Sequence, residues 1–183
     1  MKYDFLCWNK LVSTEEIIEI NTVVQNNKDA NLIDGAAKDV TKTAKVDLLP
    51  WRYLRPNLER IYETWMMANC DSFRYNLYPR RNTDLLNCNT YDSINNAEYD
   101  YHTDRDSKKP SDIKLTGIVN ISDEPYEGGE FIAFYDGSFK KVPEISQPGD
   151  VLLLRHDVVH KVNPVTKGIR KTLSFWFYGP AFI

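Results

Sequence analysis

The stretch Gln147–Pro180, QPGDVLLLRHDVVHKVNPVTKGIRKTLSFWFYGP, carries the pattern that decides the fold. The runs DVLLLRH, VVHKV and TLSFWFY are rich in β-branched, leucine and aromatic residues. Pro148-Gly149-Asp150 and Lys167-Gly168 punctuate them. Short runs of this kind, bounded by turn chemistry, are strand signals. Upstream the same grammar repeats in FRYNLY, LLNCNTY, EYDYHTD, IKLTGIVNIS and EFIAFY. Asn95-Asn96, Glu127-Gly128-Gly129 and Asp136-Gly137 supply turns. From about residue 73 onward the chain therefore reads as strands.

The region 1–72 carries helical signals instead. Ser13 and Glu16 form an S-x-x-E capping box. Behind it, Ile17, Ile20 and Val24 fall on one helical face. A second helix is expected from Pro56, a good first-turn residue, with Leu58, Ile61 and Trp65 on one stripe. Trp65, Met66 and Met67 are expected to face the core. The polar stretch from Asn27 to Lys45 reads as a loop or short edge strand. The expected class is α+β, mainly β: a sandwich or barrel (73–183) with a helical support region (1–72) packed on one face, in one domain over 1–183.

Composition narrows the function. Apolar residues make up 42% of the 183 residues, and the net charge is −3. A mildly acidic chain is not a general electrostatic nucleic-acid binder, so no nucleic-acid partner is expected. MKYDFLCWNK lacks the apolar run of a signal peptide, and no stretch approaches a membrane span. A cytoplasmic location without a membrane partner is the expectation. Cys7, Cys70 and Cys88 form no CxxC pair, which suits a reducing compartment better than a disulfide scaffold.

The chain has only three histidines. One stands in YDYHTDRD, Tyr99–Asp106, where His102 and Asp104 are two apart. On a strand such residues project from the same face. Two histidines and one carboxylate, with open coordination positions, is the pattern of non-haem Fe(II) oxygenases. The third ligand must be His156 or His160. Arg170 lies ten positions after His160, followed on the same strand face by Thr172 and Ser174. An arginine offers a fixed fork to the far carboxylate of a dicarboxylate co-substrate. That spacing favours His160 and leaves His156 structural. Taken singly, each residue has a plainer reading. His102 would be a hydrogen-bonded structural residue, Asp104 a turn residue, and Arg170 with Lys171 a solvated charge pair. One metal site accounts for the ordered set at once. Arg80 and Arg81, after NLYP, read as exposed loop charges.

These residues resemble the Fe(II)- and 2-oxoglutarate-dependent dioxygenases of the prolyl 4-hydroxylase-like branch. The resemblance runs from about Tyr91 to Gly179. It rests on H-x-D at His102 and Asp104, EGGEF at Glu127–Phe131, PGD, and the His160-to-Arg170 step within HKVNPVTKGIR. It implies a double-stranded β-helix (jelly roll, cupin-like) core with supporting N-terminal helices. His102, Asp104 and His160 become the implied iron ligands, and Arg170 the residue that holds the distal carboxylate of 2-oxoglutarate. Tyr91 is implied to face the co-substrate. Asn120 stands where relatives often carry a tyrosine that reaches the same carboxylate. Thr116, on the same face as Asn120, and Thr172 are further candidate co-substrate contacts. Trp176 is implied to stand near the substrate mouth, and Arg155 reads either as a residue near the substrate channel or as plain surface.

The implied cofactors are Fe(II), 2-oxoglutarate and O2, with ascorbate as an auxiliary reductant. The implied reaction hydroxylates a C–H bond and releases succinate and CO2. Asp104 favours hydroxylation over halogenation, which commonly has a small residue there. The implied substrate is a proline-containing peptide or protein. The alternatives are a hydroxylase of a free amino acid or other small molecule, and a non-catalytic metal-binding jelly roll. The segments 27–45 and 104–112 are expected to form a lid.

Overall fold

Alternation along two neighbouring strands sets the plan of the molecule. In the computed structural model, which describes residues 3–27, 42–104 and 112–181, these strands are β5 (Asp112–Asn120) and β12 (Ile169–Gly179). Leu115, Val119, Leu173, Phe175 and Phe177 point to one face and join a core shared with the helices. Thr116, Ile118, Arg170, Thr172, Ser174 and Trp176 point to the other and line a cavity. A period of two thus gives one sheet an apolar face and a site face.

The remaining strands are β1 (Phe5–Trp8), β2 (Lys45–Pro50), β3 (Leu85–Asp92), β4 (Tyr99–His102), β6 (Glu127–Gly128), β7 (Phe131–Tyr135), β8 (Ser138–Lys141), β9 (Val151–Arg155), β10 (His160–Val162) and β11 (Val165–Lys167). A six-stranded sheet runs β1-β9-β5-β12-β3-β2, and a four-stranded sheet runs β4-β10-β7-β8. β11 and β6 form a short pair. All the pairings are antiparallel. The two larger sheets form a jelly roll.

Helices α1 (Thr14–Asn27) and α2 (Trp51–Ala68) cover the apolar face. The capping box forms: Ser13 N–H donates to Glu16 Oε2 at 2.7 Å, and Glu16 N–H to Ser13 Oγ at 3.2 Å. Ile17 and Ile20 are buried, with Val24 packed at the margin. Arg60 of α2 pairs with Glu16 at 2.9 Å and joins the helices. The α2 stripe is Trp51, Leu54, Leu58, Ile61, Trp65 and Ala68. Trp65 packs edge-on against Phe175, with ring centroids 4.9 Å apart. Gly117 makes this approach possible, because a Cβ there would lie 2.6 Å from the indole.

Several expectations need correction. Helix α2 begins at Trp51, five residues before Pro56, which sits inside it. The loop before β3 accepts the first free N–H groups, Trp51 N–H to Asp84 O and Arg52 N–H to Asn82 O, so the start needs no proline. Met67 is exposed rather than core-facing, and Met66 packs only at the core margin. Strands β1 and β2 lie in the region read as a helical support, β2 beginning at Lys45, where the stretch read as a loop or short edge strand ends; they are the two edges of the large sheet. FRYNLY is not a strand. Arg74 turns left-handed at φ 59°, and the Asn69 amide takes both backbone groups of Tyr75, at 2.9 and 3.0 Å. Most of segments 27–45 and 104–112, expected as a lid, lies outside the described residues. No helix among the described residues is long and apolar enough to cross a membrane.

Candidate metal centre

Strand pairing brings two distant histidines side by side. His160 of β10 pairs in register with His102 of β4 on one side and with Ala133 of β7 on the other. Asp104 follows two residues past the end of β4. Nε2 of His102 lies 3.8 Å from Asp104 Oδ1, and Nε2 of His160 lies 3.7 Å from Asp104 Oδ2. One ligand atom from each of the three residues lies within 4.8 Å of the others.

The hydrogen bonds fix which ring nitrogens face inward. Nδ1 of His102 is 2.7 Å from the carbonyl of Asp100, and Nδ1 of His160 is 2.9 Å from that of Val158. A carbonyl only accepts, so each Nδ1 carries the proton and donates. Both Nε2 atoms are left facing Asp104. Burial, and then the neighbouring His160, push the His102 pKa down to about 4 against the opposing pull of Asp104. His102 is therefore neutral at neutral pH, the form a metal needs. Two imidazole lone pairs and one carboxylate in a half-buried cluster fit a divalent transition metal with open positions.

A cavity of about 40 Å³ lies beside this cluster. Arg170, 1% exposed, faces the cluster from the six-stranded sheet. Its guanidinium lies 5.5 Å from the Tyr91 ring centroid, and its Nε is buried without a hydrogen-bond partner. Among the described residues no carboxylate is within ion-pair distance of it. Gly129 of the EGGEF segment makes room for it: a Cβ there would sit 2.9 Å from Arg170 Cδ. Tyr91 lines the same cavity, and burial pushes its phenol up to about 12, with Arg170 opposing. The neighbouring Lys171 instead pairs with Asp123 at 2.8 Å.

The other expected residues divide. Thr172 lines the cavity and accepts from Asn89 Nδ2 at 3.2 Å. Trp176 lines it too, with its indole N–H buried and unpartnered. Thr116 lines it, but its hydroxyl donates to Asp104 Oδ2 at 2.6 Å. Asn120 is not among the lining residues. It is fully buried; its amide donates to Tyr126 Oη and the Ile145 carbonyl and accepts from Ser122. It therefore cannot reach a co-substrate in this arrangement. Arg155 also lies off the cavity, held by Asp157 at 2.8 Å and Asp4 at 3.3 Å. His156 is buried and bonds the Lys114 carbonyl at 3.2 Å, apart from the cluster. Arg80 is not a plain loop charge: it lies over Phe175 at 5.0 Å and donates to the Trp176 carbonyl at 3.0 Å. Arg81 is exposed, with Asp84 as its partner.

Sequence reasoning missed Lys42 on the cavity wall. Its ammonium donates to Asn89 Oδ1 at 2.7 Å and lies 4.8 Å from the Tyr99 ring centroid. A lysine in a polar run of similar residues carries no local signal that would single it out. Phe131 and Val162, also lining residues, signalled only strand.

A two-histidine, one-carboxylate cluster on a jelly roll, faced by an arginine with no ion-pair partner among the described residues, fits the class of non-haem iron oxygenases. Comparison with known proteins gives the family. The sequence model of the 2OG-Fe(II) oxygenase superfamily matches residues 86–178, just over half of the chain. The chain belongs to that superfamily. A PKHD-type hydroxylase of Pseudomonas fluorescens is 32% identical over 99 residues, which cover 50% of this chain and 41% of the relative. The match thus spans about two-fifths of that curated relative. Among solved structures, a Pseudomonas putida prolyl-4-hydroxylase superposes with a TM-score of 0.75 at 15% identity, covering 98% of this chain and 95% of that one. A prolyl hydroxylase from Trichoplax adhaerens, solved with a hypoxia inducible factor peptide fragment, superposes with a TM-score of 0.68 at 14% identity, covering 97% and 84%. The fold is that of the prolyl 4-hydroxylase-like members.

Proposed function

We propose that this chain is an Fe(II)- and 2-oxoglutarate-dependent dioxygenase that hydroxylates a prolyl residue in a peptide or protein. The observation that carries the reading is Arg170. A buried cation without a carboxylate partner is costly, and this one shares a cavity with the His102–Asp104–His160 cluster. A dicarboxylate spanning the cavity offsets that cost.

In this reading His102 and His160 offer Nε2 atoms and Asp104 a carboxylate to the iron. Bound iron, with O2 and 2-oxoglutarate, supplies the oxidation that yields succinate, CO2 and a hydroxylated product. Arg170 holds and orients the 5-carboxylate of the co-substrate against the Tyr91 and Thr172 walls. Ile118, Phe131 and Val162 make the rest of the wall apolar and limit water around the reacting groups. Trp176 borders the substrate side. Ascorbate serves as an auxiliary reductant. The residues 1–183 act as one catalytic domain, and three free cysteines suit a reducing cytoplasm. The prolyl hydroxylases among the structural neighbours, one of them peptide-bound, support the choice of substrate.

The test is an anaerobic titration of the protein with Fe(II) and 2-oxoglutarate, following the weak visible charge-transfer band of the chelate. Wild type is expected to show the band and His102→Ala to lose it. Arg170→Ala is expected to bind 2-oxoglutarate at least about thirtyfold more weakly, the loss of about 2 kcal/mol of charge-assisted contact. No band in folded wild-type protein would sink the reading in favour of a non-catalytic jelly roll. Succinate release stimulated by free proline, but not by proline-containing peptides, would move the substrate to a free amino acid.

A further inference from the structure

Two of the three residues in the metal cluster are held by the sheet, and the third is not. His102 and His160 are paired in register within the four-stranded sheet. Asp104 lies beyond the last ladder position of β4, where the chain leaves the sheet. Strand pairing therefore cannot fix its carboxylate. Its side chain is nonetheless only 10% exposed and turned toward both histidines.

Thr116 supplies the missing constraint. It sits mid-strand in β5, 2% exposed, paired to Trp176 of β12 on one side and Leu154 of β9 on the other. That makes it one of the better-anchored positions in the molecule. Its hydroxyl donates to Asp104 Oδ2 at 2.6 Å, within the range of strong O–H···O⁻ bonds. A hydroxyl has a single proton, so Thr116 has none left to donate to a co-substrate carboxylate. The bond also crosses from the six-stranded sheet to the end of the four-stranded one. It ties the cluster together across the cavity.

We propose that Thr116 is a positioning residue for the metal centre: its bond to Oδ2 holds Asp104 to ligation through Oδ1 alone and keeps a coordination position open. The proposal rests on the reading of His102, Asp104 and His160 as metal ligands. Without the hydroxyl, the carboxylate is free to rotate, to leave, or to bind through both oxygens. Partners of metal ligands typically contribute about 10- to 100-fold in metal affinity.

The experiment uses the full chain, freed of metal, with Co(II) as the probe. Binding is measured by calorimetry and by the visible d–d spectrum, which reports coordination number. Thr116→Val keeps the side-chain shape in a buried strand and removes only the hydroxyl. It is expected to weaken Co(II) binding about 10- to 100-fold and to alter the d–d bands. Thr116→Ala is expected to do the same and serves if the valine variant folds poorly. Thr116→Ser restores the donor and is expected to recover both affinity and spectrum. Wild-type affinity and an unchanged spectrum in folded Thr116→Val would overturn the proposal, while Co(II) binding lost in His102→Ala would leave the metal centre standing. A wild-type chain that binds no Co(II) would overturn both.

Discussion

Among the cysteines, only Cys70 is exposed. Burial pushes the Cys88 thiol up to about 12, with Asp47 adding to it. Burial pushes Cys7 to about 12 as well, aided by Glu144 and Asp150. The thiolate is the reactive form, so raised values mean less of it. At pH 8 a thiol near 12 is ionised only to about one part in ten thousand. With a disulfide reagent at pH 8, one thiol is expected to react promptly in the native protein and three after unfolding. Two or three prompt thiols in native protein would contradict this burial. The same weighing of local environment explains which site residues could be read from sequence. His102 and Asp104 stood out by their H-x-D spacing and Arg170 by its ten-residue step from His160, although β4 ends at His102 and Asp104 reaches the cluster from beyond the strand. Asn120 had the right face too, but Ser122, Tyr126 and the Ile145 carbonyl consume its amide. Those partners are brought in by other parts of the fold. Arg155 fails in the same way, claimed by Asp4 and Asp157.

Elements were legible where pattern and burial agreed. The central strands β5, β9 and β12 are long or strongly apolar and were found from sequence. The edge strands β1 and β2 were not: FLCW is four residues, and KVDLLP mixes charge with a terminal proline. Edge positions tolerate such sequences because one side needs no partner. In α2 the local proline rule lost to tertiary packing. Burial of Trp51 and Leu54 extends the helix through Pro56. Pro56 itself is exposed and has no N–H to give to the Arg52 carbonyl. Pro56→Ala restores that bond and removes the ring from the turn. Some of the gain is offset by a more flexible unfolded chain. The expected net effect is about 1–2 kcal/mol of added stability, read as a rise in Tm of about 2–8 °C. An unchanged or lower Tm would show that the proline is accommodated without cost.

At the scale of the whole molecule, the six-stranded sheet divides stability from function between its two faces. One face buries Leu115, Leu173, Phe175 and Phe177 against the helices. The other holds Arg170, buried and without an ion-pair partner among the described residues, beside the candidate metal cluster. A fold optimised for stability alone would put an apolar side chain there. Replacing buried charge with a well-packed apolar group often adds about 1–4 kcal/mol. Arg170→Met is therefore expected to raise the Tm of the metal-free, ligand-free protein. The same variant should lose the response to co-substrate. A ligand that binds only the folded state at one hundred times its Kd adds about 2.7 kcal/mol. With Mn(II) present, saturating 2-oxoglutarate is thus expected to raise the wild-type Tm and leave that of Arg170→Met where it was. Mn(II) alone should stabilise both, since the proposed metal ligands His102, Asp104 and His160 are untouched. The two melting curves would then cross over on adding 2-oxoglutarate: the variant more stable without it, the wild type level or ahead with it. A variant less stable than wild type under all conditions would instead make Arg170 a structural residue whose burial the fold requires.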